Sequence, residues 1–438
     1  MRSLEQQVAA ARVLAQPLPP LQLPLGAAHG CVLAEDVTAA YPVPAFPTAI
    51  VDGYAVNTTP PAGVTSRYRS GAELSNASFE VIDWLRPGFM TDQPVLFMQA
   101  VHLTTGSMVP KSCTAVMATD IDLTVQGESS EATTDSLRAA SALDAFEAVV
   151  DIRDSVEPGA GIARTGSYVA PDDVVLPAGT ALTGRAIAAA AAVGRSRVRA
   201  HPKARVVIIT VGDQLLDADR AIIDGLVHDS TSEMLLAAAR AAGAVAVRGG
   251  PVPHDPVAIA IAVEDQCVRA DLIVILSSVG SSREAGDEAV IESLGRLGAP
   301  ETEFCRIDPG TRIGLTTVGP DSLPVVMMDC GALSAFVGFE VVAKPMSTAM
   351  SGRSHESPNV ELATLGSALV APPMVPGFVP ARTGMDVGTG KLRVEPIRES
   401  AHSASLWLYR ADSIMIIPAD ATSLVEGDVV EVVRLSGS

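Results

Sequence analysis

The amino-acid sequence predicts a protein of the α/β plus β class with several domains. A run of β-branched residues at positions 206–209 is typical of a strand buried on both faces. Strand and helix patterns then alternate from Lys203 to about residue 350, which is typical of a doubly wound parallel sheet. Short strand-like runs separated by Gly, Pro, Ser and Asp precede and follow this region, and they predict two smaller β domains.

The predicted central strand ends at Gly212 and Asp213. Ligands of open α/β sheets bind at the carboxyl ends of the strands, so Asp213 is a candidate site residue. The alternative is that Gly212 only turns the chain and Asp213 only caps that turn.

Helix and strand signals follow in the order expected of an α/β domain. Ser230 and Glu233 form a candidate capping box for a helix that ends near Gly243. Further helices are predicted at 256–269, with Asp255 as its cap, at 287–297 and at 332–343, ending before Pro345. Further strands are predicted at 272–276 and 325–328.

The flanking regions have signals of their own. The apolar spacing of residues 4–14 predicts a first amphipathic helix, and residues 186–193 predict an alanine-rich helix that ends at Gly194. Residues 127–144 are rich in Ser, Thr, Ala and Glu and predict an extended, mobile loop. Residues 354–357 predict a linker.

Composition excludes several classes of protein. The net charge of −19 repels phosphate backbones and makes nucleic acid an improbable partner. We find no apolar run of about 20 residues that could span a membrane and no signal peptide at the start of the sequence. The five cysteines lack metal-binding spacing, which predicts buried thiols in a reducing cytoplasm.

Several short motifs together resemble the molybdopterin molybdotransferase family, which includes bacterial MoeA and the E domain of gephyrin. Each motif is weak alone, but their order and spacing match over nearly the whole length. They are Val51-Asp52-Gly53-Tyr54-Ala55-Val56, Thr105-Gly106, Val109-Pro110, Leu176-Pro177-Ala178-Gly179-Thr180, Gly212-Asp213, Asp229-Ser230, Arg410-Ala411-Asp412 and Ile417-Pro418.

The resemblance implies a MoeA/gephyrin-E-like homodimer with four subdomains in each chain. Residues 1–53 and 152–198 would form the N-terminal linker and dimerisation domain, and residues 54–151 an inserted β domain. Residues 199–350 would form a MogA-like α/β domain, and residues 355–438 a C-terminal β barrel. The helix at 186–193 is too apolar for an exposed face and favours a homodimer, although it could instead pack inside its own protomer.

The resemblance also implies a site where molybdate meets adenylylated molybdopterin in a cleft between protomers. Asp52 and Asp213 would be the catalytic acids, and Asp213 and Asp287 would hold Mg²⁺ against phosphate oxygens. The substrate-binding residues would be Thr105, Arg164, Asp229 and Ser334. The alternative is that these acids cap turns and are relics of the ancestral site.

The sequence departs from the family pattern where anions would bind. The family's Lys-Pro-Gly-Lys-Pro segment is replaced by Asp308-Pro309-Gly310-Thr311-Arg312, which has lost both lysines. Two unit charges ~4 Å apart interact by about 4 kcal/mol at an effective dielectric constant of ~20. An acid in place of a lysine would therefore turn a large attraction for a bound anion into a repulsion. Strand alternation would turn Arg312 to the opposite face from Thr311.

Other loops depart as well. Asp329 and Cys330 stand in the family's Leu-Pro-Gly-Asn-Pro-Val-Ser-Ala loop, and the glycine-rich loop at 278–287 carries extra residues. Ser167 and Tyr168 replace two acids after Arg164, and Pro47-Thr48-Ala49 replaces Asp-Asn-Ser before Asp52. The loss of the family's anion-binding residues from five loops predicts that the family reaction is absent or very weak.

Two functional hypotheses follow. The first, which the departures favour, is a gephyrin-like scaffold without a cofactor that binds a peptide segment of a partner, such as a membrane receptor loop. Similarity to actinobacterial gephyrin-like proteins implies the C-terminal tail of the division protein FtsZ as a partner and recruitment to the division site. The second is an enzyme that retains Mg²⁺, molybdopterin and molybdenum insertion.

A short aromatic and aliphatic cluster is the candidate peptide site. Trp407, Leu408 and Tyr409 lie in the predicted barrel of a chain in which aromatics are only 4% of residues. Aromatic side chains are frequent anchors of peptide affinity. The alternative is that the cluster fills the core of the barrel, since strand alternation turns at least one of the three residues inward.

Overall fold

The computed structural model describes most of the chain, and it divides by internal contacts into two units. The first unit comprises Met1–Glu35, Pro177–Ile187 and Arg197–Ser438, and the second comprises Asp36–Leu176 and Ala188–Ser196. The described residues are 2–61, 77–118, 123–126, 148–152, 157–277, 287–308, 311–353, 360–370, 374–386, 388, 390–421 and 423–435. The predicted loop at 127–144, the glycine-rich loop at 278–286 and the linker at 354–357 lie outside these residues.

A six-stranded sheet forms the centre of the first unit and contains the predicted central strand. Its strands, in spatial order, are β17 (Val245–Arg248), β14 (Arg205–Val211), β18 (Leu272–Ser277), β21 (Leu323–Asp329), β20 (Thr311–Val318) and β19 (Glu303–Ile307). The first four strands are parallel, as predicted, whereas β20 and β19 pair antiparallel at one edge. The α/β fold class is confirmed, with an antiparallel edge that the helix and strand alternation did not reveal.

Successive residues of β14 supply two separate cores, which is why positions 206–209 are all apolar. Val206 and Ile208 pack with Leu235 of the helix Ser230–Ala241 on one face of the sheet. Val207 and Ile209 pack with Ile259 on the other face. That second face is covered by the helices Pro256–Cys267 and Glu288–Arg296. The predicted cover of helices on both faces is therefore confirmed.

Two details of the predicted helices are wrong. Asp229, not Ser230, caps the helix Ser230–Ala241, because its carboxylate accepts a hydrogen bond from the backbone N–H of Ser232. The helix that begins at Ala332 does not end before Pro345. It continues from Ala332–Gly338 through a π-helical segment, Phe339–Ala343, into Lys344–Met350. Pro345 lies at the second position of that last segment, directly after the π-helical turns.

The other predicted helices are observed. Asp255 accepts hydrogen bonds from Val257 and Ala258 and so caps its helix, and Asp287 caps Glu288–Arg296 in the same way. The alanine-rich helix spans Gly184–Ala192 and is followed by Gly194 with a positive φ of 80°. Ala186 and Ala190 are buried on one side of it, while the opposite side is exposed.

The first helix, Leu4–Leu14, is joined to the α/β sheet by one buried amide. Ser3 caps the helix by accepting from the N–H of Gln6. Gln7 is completely buried, and its Nε2 donates to the carbonyl oxygens of Glu303 at 3.1 Å and Ile313 at 3.0 Å. These two bonds attach the helix to the antiparallel edge of the sheet.

A second six-stranded sheet belongs to the second unit and matches the predicted small β domain. Its spatial order is β8 (Ala115–Ala118), β5 (Gly53–Val56), β7 (Gln99–Leu103), β6 (Ala77–Leu85), β10 (Ala148–Ile152) and β9 (Leu123–Gln126). Gly53 begins β5 at a point where the backbone of β8 comes very close. A Cβ atom at Gly53 would lie 1.7 Å from the carbonyl oxygen of Met117, so only glycine fits there.

The C-terminal residues form the predicted barrel. Five strands close it, in the order β22 (Val360–Leu365), β25 (Leu392–Pro396), β24 (Gly377–Met385), β26 (Ser413–Ile417) and β28 (Val429–Arg434). Smaller sheets complete the fold. They pair β1 (Leu21–Pro24) and β2 (Val32–Leu33) with β13 (Arg197–His201), and β11 (Ile162–Ala163) with β4 (Thr48–Ala49). They also pair β12 (Val174–Leu176) with β3 (Val37–Thr38), β15 (Leu215–Leu216) with β16 (Val227–His228), and β23 (Leu369–Val370) with β27 (Ser423–Leu424).

Placing Trp407, Leu408 and Tyr409 on a barrel strand is wrong. They lie in a short helical segment formed by Ala404–Trp407 and Leu408–Arg410, between β25 and β26. Trp407 is 2% exposed, and with Leu408 it packs in the cluster that contains the helix Ala332–Gly338 rather than in the barrel core. Trp407 and Leu408 are therefore buried, and only Tyr409, 80% exposed, can meet a ligand.

We predict that Gln7→Leu destabilises the first unit. The change removes the two hydrogen bonds to the sheet, together with a longer one from Arg2 at 3.4 Å, and leaves two sheet carbonyls in an apolar contact, which typically costs about 1–3 kcal/mol. Urea unfolding followed by circular dichroism measures it. Gln16→Leu is the control, because Gln16 is exposed and bonds only to carbonyls of its own helix end. Equal effects of the two substitutions would contradict the attachment role of Gln7.

Candidate functional site

Polar side chains collect at the carboxyl edge of the parallel strands in the first unit. Asp213 follows β14, and Asp329 ends β21. Asp229 and Asp287 cap the two helices that lie beside this edge. A position at the carboxyl ends of parallel strands is the expected place for a ligand site in this fold class.

His254 joins two of the predicted site residues. Its backbone N–H donates to Asp213 Oδ1 at 3.0 Å, and its ring Nε2 lies 2.9 Å from both carboxylate oxygens of Asp287. The Asp287 side chain is 2% exposed, whereas the His254 side chain is 40% exposed. Sequence analysis missed His254, although its position directly before the helix cap Asp255 could have pointed to it.

Asp229 lies at the centre of a buried polar network. It accepts from the Thr210 hydroxyl at 2.6 Å, from the Ser232 backbone N–H at 3.0 Å and from Arg248 Nη2 at 3.0 Å. Burial alone would raise the pKa of Asp229, but the hydrogen bonds from these three residues outweigh it and lower the pKa. Arg248 also binds Asp217 at 2.7 Å, so its charge is shared between two carboxylates.

Cys330 and Asp329 occupy the loop that departs from the family pattern. Burial raises the pKa of Asp329, although the backbone N–H and the charge of Arg312 partly offset this. Burial, together with the charges of Asp329, Asp229 and Asp287, raises the pKa of Cys330. The charges of three carboxylates therefore act on one thiol at this edge.

The replaced lysine segment leads into this edge from β20. Thr311 is completely buried, and its hydroxyl has no hydrogen-bond partner among the described residues. Arg312 lies opposite Asp329 across the β20–β21 pairing, and its N–H donates to Asp329 Oδ2 at 3.3 Å. The charge of Arg312 also acts on Asp329 and lowers its pKa, against the larger effect of burial.

Two predicted site residues of the second unit are joined directly. Asp52 Oδ1 accepts from the Thr105 backbone N–H at 2.6 Å and from the Thr105 hydroxyl at 2.8 Å. Asp52 precedes β5 and Thr105 follows β7, which are neighbouring antiparallel strands. The Asp-Gly-Tyr-Ala and Thr-Gly motifs, 53 residues apart in sequence, thus meet at one end of a strand pair.

His102 lies beside this pair in a row of aromatic side chains. Cross-strand pairing places Tyr54, His102 and Trp84 next to each other on β5, β7 and β6. The His102 ring centroid lies 5.1 Å from that of Tyr54 and 4.3 Å from that of Trp84. Burial lowers the pKa of His102, and the charge of Asp52 opposes this effect.

The remaining predicted residues lie apart along the chain. Arg164 is exposed in the turn after Ile162–Ala163. Ser334 is half-buried in the first turn of the helix Ala332–Gly338. The structure thus joins Asp213 to Asp287 through His254 and joins Asp52 to Thr105 directly. The functional role of each of these residues remains a prediction.

Three regions of the chain match models of known protein families. Residues 2–194 match the family model described as MoeA N-terminal region (domain I and II), and residues 363–435 match MoeA C-terminal region (domain IV). Between them, residues 207–348 match the model described as probable molybdopterin binding domain. The chain belongs to the MoeA family.

Relatives of this MoeA-family chain extend over its full length. Molybdopterin molybdenumtransferase 1 of Mycobacterium tuberculosis is 29% identical, with 100% of this chain and 99% of the relative covered. Molybdopterin molybdenumtransferase 2 of the same organism is 28% identical, with 99% of each chain covered. A crystal structure of the MoeA protein from Pyrococcus horikoshii shares the fold, with a TM-score of 0.67, 22% identity and coverage of 99% of this chain and 100% of that chain.

These comparisons favour the enzymatic hypothesis over the scaffold. The relatives are named for molybdenum transfer, and their names mention neither FtsZ nor a receptor. In the part of the chain that the structure describes, no helix is long and apolar enough to cross a membrane.

We predict that Asp229→Ala destabilises the first unit by about 3–5 kcal/mol, because it leaves the part-buried Arg248 without its buried partner. Urea unfolding measures the change. The matched control is Asp217→Ala, which removes the 40% exposed partner of the same arginine and should cost less than about 1 kcal/mol. If Asp217→Ala cost as much as Asp229→Ala, the network would not depend on the buried carboxylate.

We predict that the second unit loses stability as the pH falls below about 6.5, the ordinary pKa of histidine. The pKa of His102 is lowered in the folded state, so the unfolded chain binds the proton more readily and acid favours unfolding. The loss should continue down to the folded pKa and then level off. Thermal unfolding between pH 5.5 and 7.5 measures it. His102→Asn should weaken the dependence, whereas the exposed His29→Asn should leave it intact.

Proposed function

We propose that this chain is a molybdopterin molybdenumtransferase, which inserts molybdate into adenylylated molybdopterin. One observation carries the proposal. The polar cluster of Asp213, His254 and Asp287 lies at the carboxyl edge of the sheet, within the region that matches a probable molybdopterin binding domain. The full-length relatives named molybdopterin molybdenumtransferase support the same function.

The retained residues support the proposal in both units. Asp52 holds the Thr105-Gly106 turn through two hydrogen bonds, so the Thr105 hydroxyl is positioned at a strand end. The helix that begins at Ala332 has no side-chain cap in the described chain, and uncapped N–H groups favour oxyanions. Ser334 in that first turn and the exposed Arg164 are the proposed polar contacts to substrate.

Molybdopterin fits this donor set in part. Its phosphate needs cations or helix N-termini, but Arg248 forms an ion pair with Asp229 and the charge of Arg312 acts on Asp329. The proposed anion contacts are therefore backbone N–H groups and hydroxyls rather than lysines. When bound, molybdopterin supplies the dithiolene that receives molybdenum. We further propose, from the family resemblance, a cytoplasmic homodimer with the domain boundaries given above.

The scaffold is the second candidate function, and one observation favours it. The carboxylates of Asp229, Asp287 and Asp329 at this edge already bind or attract the nearby cationic and donor groups, which disfavours the anionic substrates of the enzyme. The proposed peptide anchors are less favourable, because Trp407 and Leu408 are buried.

We predict that this chain restores molybdoenzyme activity in a bacterial host that lacks its own molybdotransferase. Asp213→Asn should lower the restored activity by about 10- to 100-fold, a typical loss when a group that orients a site is removed. The matched control is Asp321→Asn, an exposed acid in the turn between β20 and β21, which should restore activity as the wild type does.

Direct binding separates the two functions. The purified wild-type chain is titrated with molybdopterin, and saturable binding is expected. A folded chain that neither restores activity nor binds molybdopterin would contradict the enzyme and favour the scaffold.

A further inference from the structure

His254 lies where the resemblance predicts a divalent metal ion. Asp213 and Asp287 were predicted to hold Mg²⁺, yet one histidine already joins them. The backbone N–H of His254 binds Asp213 Oδ1, and the ring Nε2 lies 2.9 Å from both oxygens of Asp287. The same residue therefore uses its main chain for one acid and its side chain for the other.

The surrounding backbone holds His254 in this position. Val252 N–H donates to the Thr210 carbonyl at 2.8 Å, and Gly212 N–H donates to the Val252 carbonyl at 2.9 Å. These bonds fasten the segment before His254 to the end of β14. On its other side, Asp255 caps the helix Pro256–Cys267 through bonds at 3.1 Å and 2.8 Å. The imidazole is thus attached to a short segment that is fixed at both ends.

The oxygens of Asp287 are already occupied. Oδ1 accepts from the backbone N–H groups of Ala289 at 3.0 Å and Val290 at 3.4 Å, in addition to its contact with His254. Mg²⁺ needs near-octahedral oxygen ligation at about 2.0–2.1 Å and usually takes carboxylates together with phosphate oxygens. With a side chain only 2% exposed and turned towards these donors, Asp287 does not fit that requirement.

The chemistry of the side chains at this position also disfavours Mg²⁺. Imidazole nitrogen suits Zn²⁺, Cu²⁺ or Ni²⁺ better than Mg²⁺. Here the Nε2 atom faces a carboxylate rather than an open coordination position. Across the described residues, no group of three His, Cys, Asp or Glu side chains could hold a metal ion. The residues present therefore do not fit Mg²⁺.

We infer that His254 takes the place of a divalent cation between Asp213 and Asp287, so that the described residues at this edge of the sheet form no Mg²⁺ site. The histidine joins the strand end that carries Asp213 to the helix that Asp287 caps, which is the structural task of a bridging metal ion.

The test is the binding of Mn²⁺, a paramagnetic substitute for Mg²⁺, to the purified full-length chain, followed by electron paramagnetic resonance. The wild type should show no saturable site with a Kd below about 1 mM. His254→Asp places a third carboxylate beside Asp213 and Asp287 and should bind Mn²⁺ at least tenfold more tightly. Because the titration uses no pterin, it is independent of whether the proposed transferase function holds.

Matched variants make the result specific. His228→Asp adds an acid at an exposed histidine of the same unit, whose ring contacts the Arg220 carbonyl, and it should gain no Mn²⁺ binding. His254→Asp combined with Asp287→Asn should lose the gain.

Two results would overturn the inference. One is a folded His254→Asp chain that binds no more tightly than the wild type. The other is a wild-type site below about 1 mM that Asp287→Asn abolishes, and this result needs no folded His254→Asp variant.

Discussion

The burial of β14 on both faces is the constraint on which the rest of the first unit depends. Its residues alternate between two apolar cores, so helices must cover both faces of the sheet and polar groups are driven to the strand ends. Asp213, Asp229, Asp287 and Asp329 collect at one such edge as a result. The site is therefore a consequence of the packing, because the edge is the place where buried parallel strands meet polar side chains.

Electrostatic balance at that edge is achieved within the chain itself. Arg248 serves Asp229 and Asp217, the Arg312 N–H and charge act on Asp329, and His254 binds Asp287. A buried carboxylate that lacks a partner costs several kcal/mol, so each of these cations or donors is needed where it lies. The same pairing leaves fewer positive charges for an anionic substrate.

The second unit obeys a different constraint, the close approach of strands at the start of β5. Gly53 admits the backbone of β8, and this approach fixes Asp52 at the strand end where it binds Thr105. The aromatic row of Tyr54, His102 and Trp84 then follows from the register of three paired strands. In the Asp-Gly-Tyr-Ala motif, the glycine is thus required by the packing of two strands, and the aspartate next to it is a candidate site residue. For Asp52, structural and functional interpretations are compatible, because the carboxylate that holds the turn also positions the Thr105 hydroxyl.

The sequence by itself determined the fold class, the central strand, most of the helices and their caps, and the family. These features depend on local periodicity, capping residues and motif order, which are properties of neighbouring positions. Tertiary structure decided the antiparallel edge, the burial of Trp407 and the contact of His254 with Asp287, which lies 33 residues away. Such contacts join distant segments through three-dimensional packing, and for that reason the position of His254 before a helix cap could mark it as a candidate but could not show its contact with Asp287.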